Sequence, residues 1–198
     1  MDGLLNKSKE LILVPAVIAS AGILAKRELP GLIVAIVIAL LLLYVFRDEP
    51  SPTGRHDDAL VSPVSGYVAG IDVTPTATRV DIDQRLTDVH THYNPGTCYV
   101  KNAKWYNGTI YWGGNDVSRV GYYEMNCVNK IPFTLRTYPS LAGRFKSNVT
   151  KHTSVDQLED IGHTEFGGRV SIFVPNTSKI MVNPGDTVQG GKTVLVRE

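Results

Sequence analysis

The apolar residues of this chain are gathered at one end, and that asymmetry limits the folds open to it. Leu11 to Ala25 is a run of 15 residues without a charge, interrupted by Pro15. Lys26, Arg27 and Glu28 break it, and Leu29 to Phe46 follows with 18 uncharged residues, unbroken Leu/Ile/Val/Ala/Tyr from Leu32 to Val45. A membrane-crossing helix needs roughly 20 residues to cover about 30 Å of hydrocarbon. The second run nearly reaches that length and the first falls short, so residues 1–46 are expected to be a helical membrane anchor. Tyr44 and Phe46 beside Arg47 suit an interfacial boundary. A cleaved signal peptide fits poorly, because charges and a second hydrophobic run follow the first directly. Two arrangements stay open, a helical hairpin and one span preceded by an interfacial segment. Lys7, Lys9, Arg47 and Arg55 outnumber Lys26 and Arg27, which favours a hairpin with the remainder of the chain in the cytoplasm.

From Arg47 onward the chain carries 16 Lys and Arg against 16 Asp and Glu. A neutral domain without a basic block argues against nucleic acid as a partner. Residues 47–60, rich in Pro, Gly, Asp and Ser, read as a linker, and 61–198 as one domain. Strand patterns dominate it: Tyr67–Val73, Thr78–Asp83, Cys98–Val100, Thr109–Trp112, Phe133–Tyr138, Arg169–Val174 and Lys179–Val182 are β-branched or aromatic, several with period-two alternation. Turns are expected at Asn107-Gly108, Gly113-Gly114, Pro184-Gly185 and Gly190-Gly191. Only Ser154–Ile161 has helical spacing. The expected fold class is mainly β, a β-rich α+β domain behind a helical anchor.

Thr164-Glu165-Phe166-Gly167-Gly168-Arg169-Val170 sits just before one of these strands. It resembles the processing site of the phosphatidylserine decarboxylase family, whose pattern is Phe-Gly-Ser, a basic or small residue, then Val. Further pieces follow in order. Phe46-Arg47-Asp48 is similar to Phe-Arg-Asp-Pro, with Glu49 intervening. Val61-Ser62-Pro63-Val64-Ser65-Gly66 is similar to Ser-Pro-x-Asp-Gly, and Asp88-Val89-His90-Thr91-His92-Tyr93-Asn94-Pro95 to Asp-Val-His-x-Asn-Arg-x-Pro. Ala142-Gly143-Arg144 fits a Gly before a basic residue, and Gly185-Asp186-Thr187-Val188-Gln189-Gly190-Gly191 matches Gly-Asp-x-Val-x-x-Gly. The length suits the short archaeal and bacterial type.

The resemblance implies a phospholipid decarboxylase that cleaves itself. The family Ser attacks the carbonyl of the preceding Gly, and the cut leaves an N-terminal pyruvoyl group as electron sink. Here the Ser position is Gly168, which has no nucleophile. The family acid that helps activate the Ser is replaced by Ser65, while His90 is kept. Ser171, the nearest serine, follows Val170 inside an expected strand. The expectation is therefore an unprocessed chain without pyruvoyl and with no intact catalytic set. Gly168→Ser alone should give little cleavage; together with Ser65→Asp it should restore some. Gly168 is expected to leave room that a Ser would fill, and His90, His92, Ser62 and Phe166 to form a substrate-side pocket around Gly167-Gly168.

Two functions from different classes follow. One is a membrane-anchored protein with a decarboxylase-like pocket that binds an aminophospholipid headgroup or regulates an active copy. The other is a structural or assembly protein of a cellular or viral membrane that keeps only the fold. An active lyase survives if pyruvoyl arises elsewhere, or if Gly168 was engineered from Ser. The implied partners are membrane phospholipid, and a second copy or another membrane protein. His90 and His92 have His-x-His spacing, but His56, Asp57 and Asp58 lie in the expected linker and spacing fixes no third ligand, so no metal is expected. Cys98 and Cys127 could pair in an extracytoplasmic domain, yet two cysteines without a framework are more often buried thiols. The sequons at Asn107, Asn148 and Asn176 are near chance number. Gly185–Gly191 has a lipoyl-like turn with no acceptor Lys at its tip.

Overall fold

The computed structural model describes residues 52–107, 121–140 and 144–198, together with Ile33, Ile36, Val37 and Leu40. The chain divides into two compact units, Met1–Arg47 and Asp48–Glu198. In the first, those four residues are helical and exposed. The rest of the anchor, the expected strand Thr109–Trp112, the Gly113-Gly114 turn and Ala142-Gly143 lie outside the described residues. Among the described residues no helix is long and apolar enough to cross a membrane.

The second unit is built from β1 (Ala59–Val61), β2 (Gly66–Val73), β3 (Thr78–Gln84), β4 (Thr91–Tyr93), β5 (Cys98–Tyr106), β6 (Tyr122–Val128), β7 (Phe133–Pro139), β8 (Phe145–Ser147), β9 (Ser154–Val155), β10 (Asp160–Thr164), β11 (Gly168–Val174), β12 (Lys179–Ile180), β13 (Thr187–Val188) and β14 (Val194–Arg197). Eight form one antiparallel sheet in the order β13-β2-β3-β11-β7-β6-β5-β9; β1-β14-β12 and β4-β10-β8 are two small sheets. The mainly β expectation holds. Within it, β1 starts inside the stretch expected as linker. Ser154–Ile161 is not helical: Val155 is in β9, Leu158 turns the chain at φ 72°, and Ile161 is in β10.

Alternation explains the large sheet. Val80 and Ile82 of β3, Val170 and Ile172 of β11, Leu135 of β7 and Met125 of β6 point to one face and are at most 1% exposed. There they join Leu60, Val64, Phe145, Ile161 and Leu195 from outside the large sheet in one apolar cluster. The intervening residues form an ionic lattice on the other face. Arg169 Nη2 donates to Asp83 Oδ2 at 2.9 Å, Ser171 Oγ to Asp81 Oδ1 at 2.6 Å, and Arg136 Nε to Glu124 Oε2 at 2.7 Å. These contacts tie β11 to β3 and β7 to β6. Cys98 and Cys127, both in the core on adjacent strands, are joined as a disulfide with Cα atoms 5.6 Å apart; the expectation of free buried thiols is corrected by their adjacency.

Candidate functional site

Gly168 opens β11 and is paired on both sides, with Gln84 of β3 and Pro139 of β7. Three consecutive residues before and at the strand have positive φ: Phe166 at 58°, Gly167 at 72° and Gly168 at 152°. L side chains rarely adopt such backbone, and glycine tolerates it. Space is lacking as well. A Cβ on Gly167 would lie 2.7 Å from the Gln84 carbonyl oxygen, and one on Gly168 would lie 2.4 Å from that of Tyr138. The expected vacancy at Gly168 does not exist, because the neighbouring strand's backbone occupies it. The Gly167 carbonyl accepts from Ser140 N–H at 3.2 Å.

His90 comes to the same end of β3. Its Nε2 lies 3.3 Å from the Arg85 carbonyl oxygen, to which it donates, and a Cβ on Gly167 would stand 3.5 Å from that carbonyl's carbon. The His90 carbonyl accepts from Thr164 N–H at 3.0 Å. The two turns that sequence separates, around residues 85–90 and 164–168, are thus laced together.

Beneath them lies a buried polar cluster of which the sequence singles out only His92. Gln84 Nε2 donates to the Val89 carbonyl at 3.1 Å, which leaves its Oε1 facing His92 Nε2 at 3.1 Å and Thr164 Oγ1 at 3.0 Å. An amide oxygen only accepts, so both neighbours donate, and His92 carries its proton on Nε2. Its Nδ1 then holds a bare lone pair, and that atom is buried with no hydrogen-bond partner. The ring packs against Phe145 with centroids 4.9 Å apart. Burial, reinforced by His163 and His90, pushes the His92 pKa down to about 3. Gln84 was legible in one respect, since it falls in phase with Val80 and Ile82 on the core face. Thr164 gave no such signal.

The Ser62-Pro63-Val64-Ser65-Gly66 turn reaches the same region through β4. The Pro63 carbonyl accepts from Tyr93 N–H at 2.8 Å. Ser62 is fully buried and donates to the Val64 carbonyl at 2.6 Å. Ser65 Oγ accepts from Gly190 N–H at 3.0 Å, so the residue at the acid position ties the turn to the closing glycines. Gly66 pairs with Val188 of β13 and its neighbour Tyr67 with Asp83 of β3, so the turn enters the large sheet beside Gln84. Of the expected substrate contacts, only Phe166 is broadly exposed; His90 keeps a little surface, and Ser62 and His92 have none. Among the described residues no three His, Cys, Asp or Glu side chains are grouped to hold a metal.

Comparison with known proteins matches the sequence to one family. The family profile described as phosphatidylserine decarboxylase covers residues 78–196. The chain is 27% identical over 177 residues to a phosphatidylserine decarboxylase proenzyme of Ehrlichia chaffeensis, covering 82% of this chain and 78% of that one. It is 24% identical over 176 residues to one of Cytophaga hutchinsonii, at 83% and 80% coverage. Against one from Neisseria gonorrhoeae it is 25% identical over 173 residues, at 81% and 66% coverage. No solved structure matches.

Proposed function

This chain belongs to the phosphatidylserine decarboxylase family, and from that premise we propose that it binds an aminophospholipid headgroup at the membrane without processing itself. The observation that carries the reading is Gly168. It supplies no hydroxyl, and its place between β3 and β7 admits no side chain without moving the Tyr138 backbone. A pyruvoyl group, where one is present, serves as the electron sink for decarboxylation. The residues here do not fit its formation, so no step through it follows.

What remains is a binding frame. His90 is buried between the laced turns, and its Nε2–H is directed to the Arg85 carbonyl. The Gln84, His92 and Thr164 cluster holds that arrangement from behind, and Ser62 builds the turn below. Ile33, Ile36, Val37 and Leu40, exposed on one helical face, support membrane anchoring through residues 1–46. The test is calorimetric titration of the detergent-solubilised full chain with a short-chain phosphatidylserine below its micelle concentration. The expected result is saturable binding that phosphatidylcholine of the same chain length does not reproduce and that His90→Ala weakens. Equal heats for the two lipids would refute headgroup recognition.

A further inference from the structure

The two turns that frame the site also carry apolar and cationic side chains that the site itself does not use. Leu86, in the turn after β3, is 49% exposed, and Phe166, in the turn before β11, is 46% exposed. They are neighbouring turns, because Gly167 packs on the Gln84 and Arg85 backbone. Phe166 adopts left-handed backbone at φ 58°, an unfavourable conformation for an aromatic residue that here presents its ring at the surface. Arg85 and Arg144 flank the pair, the latter placed by its carbonyl, which accepts from Glu165 N–H at 2.8 Å. Both are exposed, and among the described residues neither guanidinium has a carboxylate partner; Arg85 instead lies over the Tyr67 ring, 4.8 Å from its centroid.

At the other end of the same strands the balance is different. Val73 is 74% exposed, but the adjacent cation, Arg79, is engaged by Asp72 and Asp81. Of these two ends, it is at the first that exposed apolar side chains stand beside cations without a carboxylate partner among the described residues. Exposed apolar side chains flanked by two arginines without carboxylate partners match the boundary of an anionic bilayer, where tails receive the former and phosphates or carboxylates the latter.

We infer that the tip formed by Arg85-Leu86 and Arg144 with Phe166 docks onto anionic phospholipid bilayers, seating Leu86 and Phe166 below the headgroups and turning the His90–Gly168 frame to the membrane. This deepens the headgroup reading and rests on it for the ligand class. The experiment uses the full chain reconstituted into phosphatidylcholine vesicles with and without phosphatidylserine, their acyl chains brominated to quench tryptophan. Phe166→Trp, Leu86→Trp and Val73→Trp are compared, with the unsubstituted chain as background for Trp105 and Trp112.

The added tryptophan at 166 and at 86 should be quenched in phosphatidylserine vesicles, and that at 73 should not. Replacing Arg85 and Arg144 by Gln should lower the docking equilibrium about fivefold per cation on anionic vesicles and leave it unchanged on neutral ones. Quenching at 73 equal to that at 166, or none at 166 and 86, overturns the docking surface. Short-chain phosphatidylserine titration separates the two ideas. Docking without headgroup binding leaves the tip standing and removes the headgroup reading, and headgroup binding without quenching removes the tip alone.

Discussion

The candidate site has two halves that were built by opposite rules. The Gln84, His92 and Thr164 cluster is sealed from solvent, and its hydrogen bonds are assigned with a single atom, His92 Nδ1, left over. The Phe166-Gly167-Gly168 turn is held in backbone that favours glycine, and Phe166 is half exposed. Burial makes the first half intolerant of change, because each lost partner strands a desolvated group. Steric closeness makes the second half intolerant at its glycines and tolerant at its aromatic. The two halves therefore constrain substitution by different means, one by desolvation and the other by backbone packing.

The largest effect should come from breaking the sealed half. Gln84→Ala strands the Val89 carbonyl and leaves His92 Nε2 and Thr164 Oγ1 only their own 3.3 Å contact, and should cost about 2–4 kcal/mol. Urea denaturation of the two chains measures it, and a change well under 1 kcal/mol would show that water replaces the amide.

Gly168→Ser comes next. It should cost about 1–3 kcal/mol, since a Cβ there meets the Tyr138 carbonyl oxygen and the backbone must shift. Gly185→Ser is the matched control. Gly185 also has positive φ, at 93°, but nothing lies within 4 Å of its would-be Cβ, so only the conformational penalty of about 1 kcal/mol remains. Equal destabilisation of the two variants would show that steric closeness adds nothing at 168. Both Gly168→Ser and its combination with Ser65→Asp should stay uncleaved. Sequence alone expects the double variant to recover cleavage, and the packing of β11 against β7 is the reason to expect otherwise.

The sealed half also predicts a pH dependence. His92 has a pKa of about 3 in the fold and an ordinary value of 6.5. The unfolded chain then binds a proton that the folded chain refuses. Stability from this group is complete above pH 6.5 and falls progressively as pH drops from there toward 3, by up to a few kcal/mol. His92→Asn, which restores the residue of the family pattern, should flatten that part of the profile. An unchanged slope in thermal melts between pH 7 and 4 would assign the acid sensitivity to other groups. The smallest effect belongs to Phe166→Ala, which should alter stability by less than about 0.5 kcal/mol because the ring is half exposed.

The chain announced its strands more readily than its site. Thr78–Asp83 and Arg169–Val174 read correctly because one face of each is buried and the other polar, which is the pattern alternation detects. Tyr122–Val128 gives a weaker signal although Tyr123, Met125 and Cys127 alternate, since its outward Tyr, Glu and Asn dilute the apolar pattern. Ser154–Ile161 looked helical because Val155, Leu158 and Ile161 are three apart, a spacing that a turn between two short strands also produces. His90 and Gly168 were found by pattern. Thr164 was not, because a hydroxyl becomes informative only when the fold puts it beside Gln84 and His92. The absence of room at Gly168 was invisible for the same reason, being a property of the Tyr138 backbone.

The central claim is that the family's frame persists without its self-cleavage. Intact-mass spectrometry of the freshly purified full chain tests it most directly. One polypeptide of 21.7 kDa, with no pyruvoyl-bearing fragment under any incubation, is the result expected. A C-terminal fragment beginning at residue 168 would contradict the account, because it would mean that the Gly167–Gly168 bond is cut despite the missing hydroxyl.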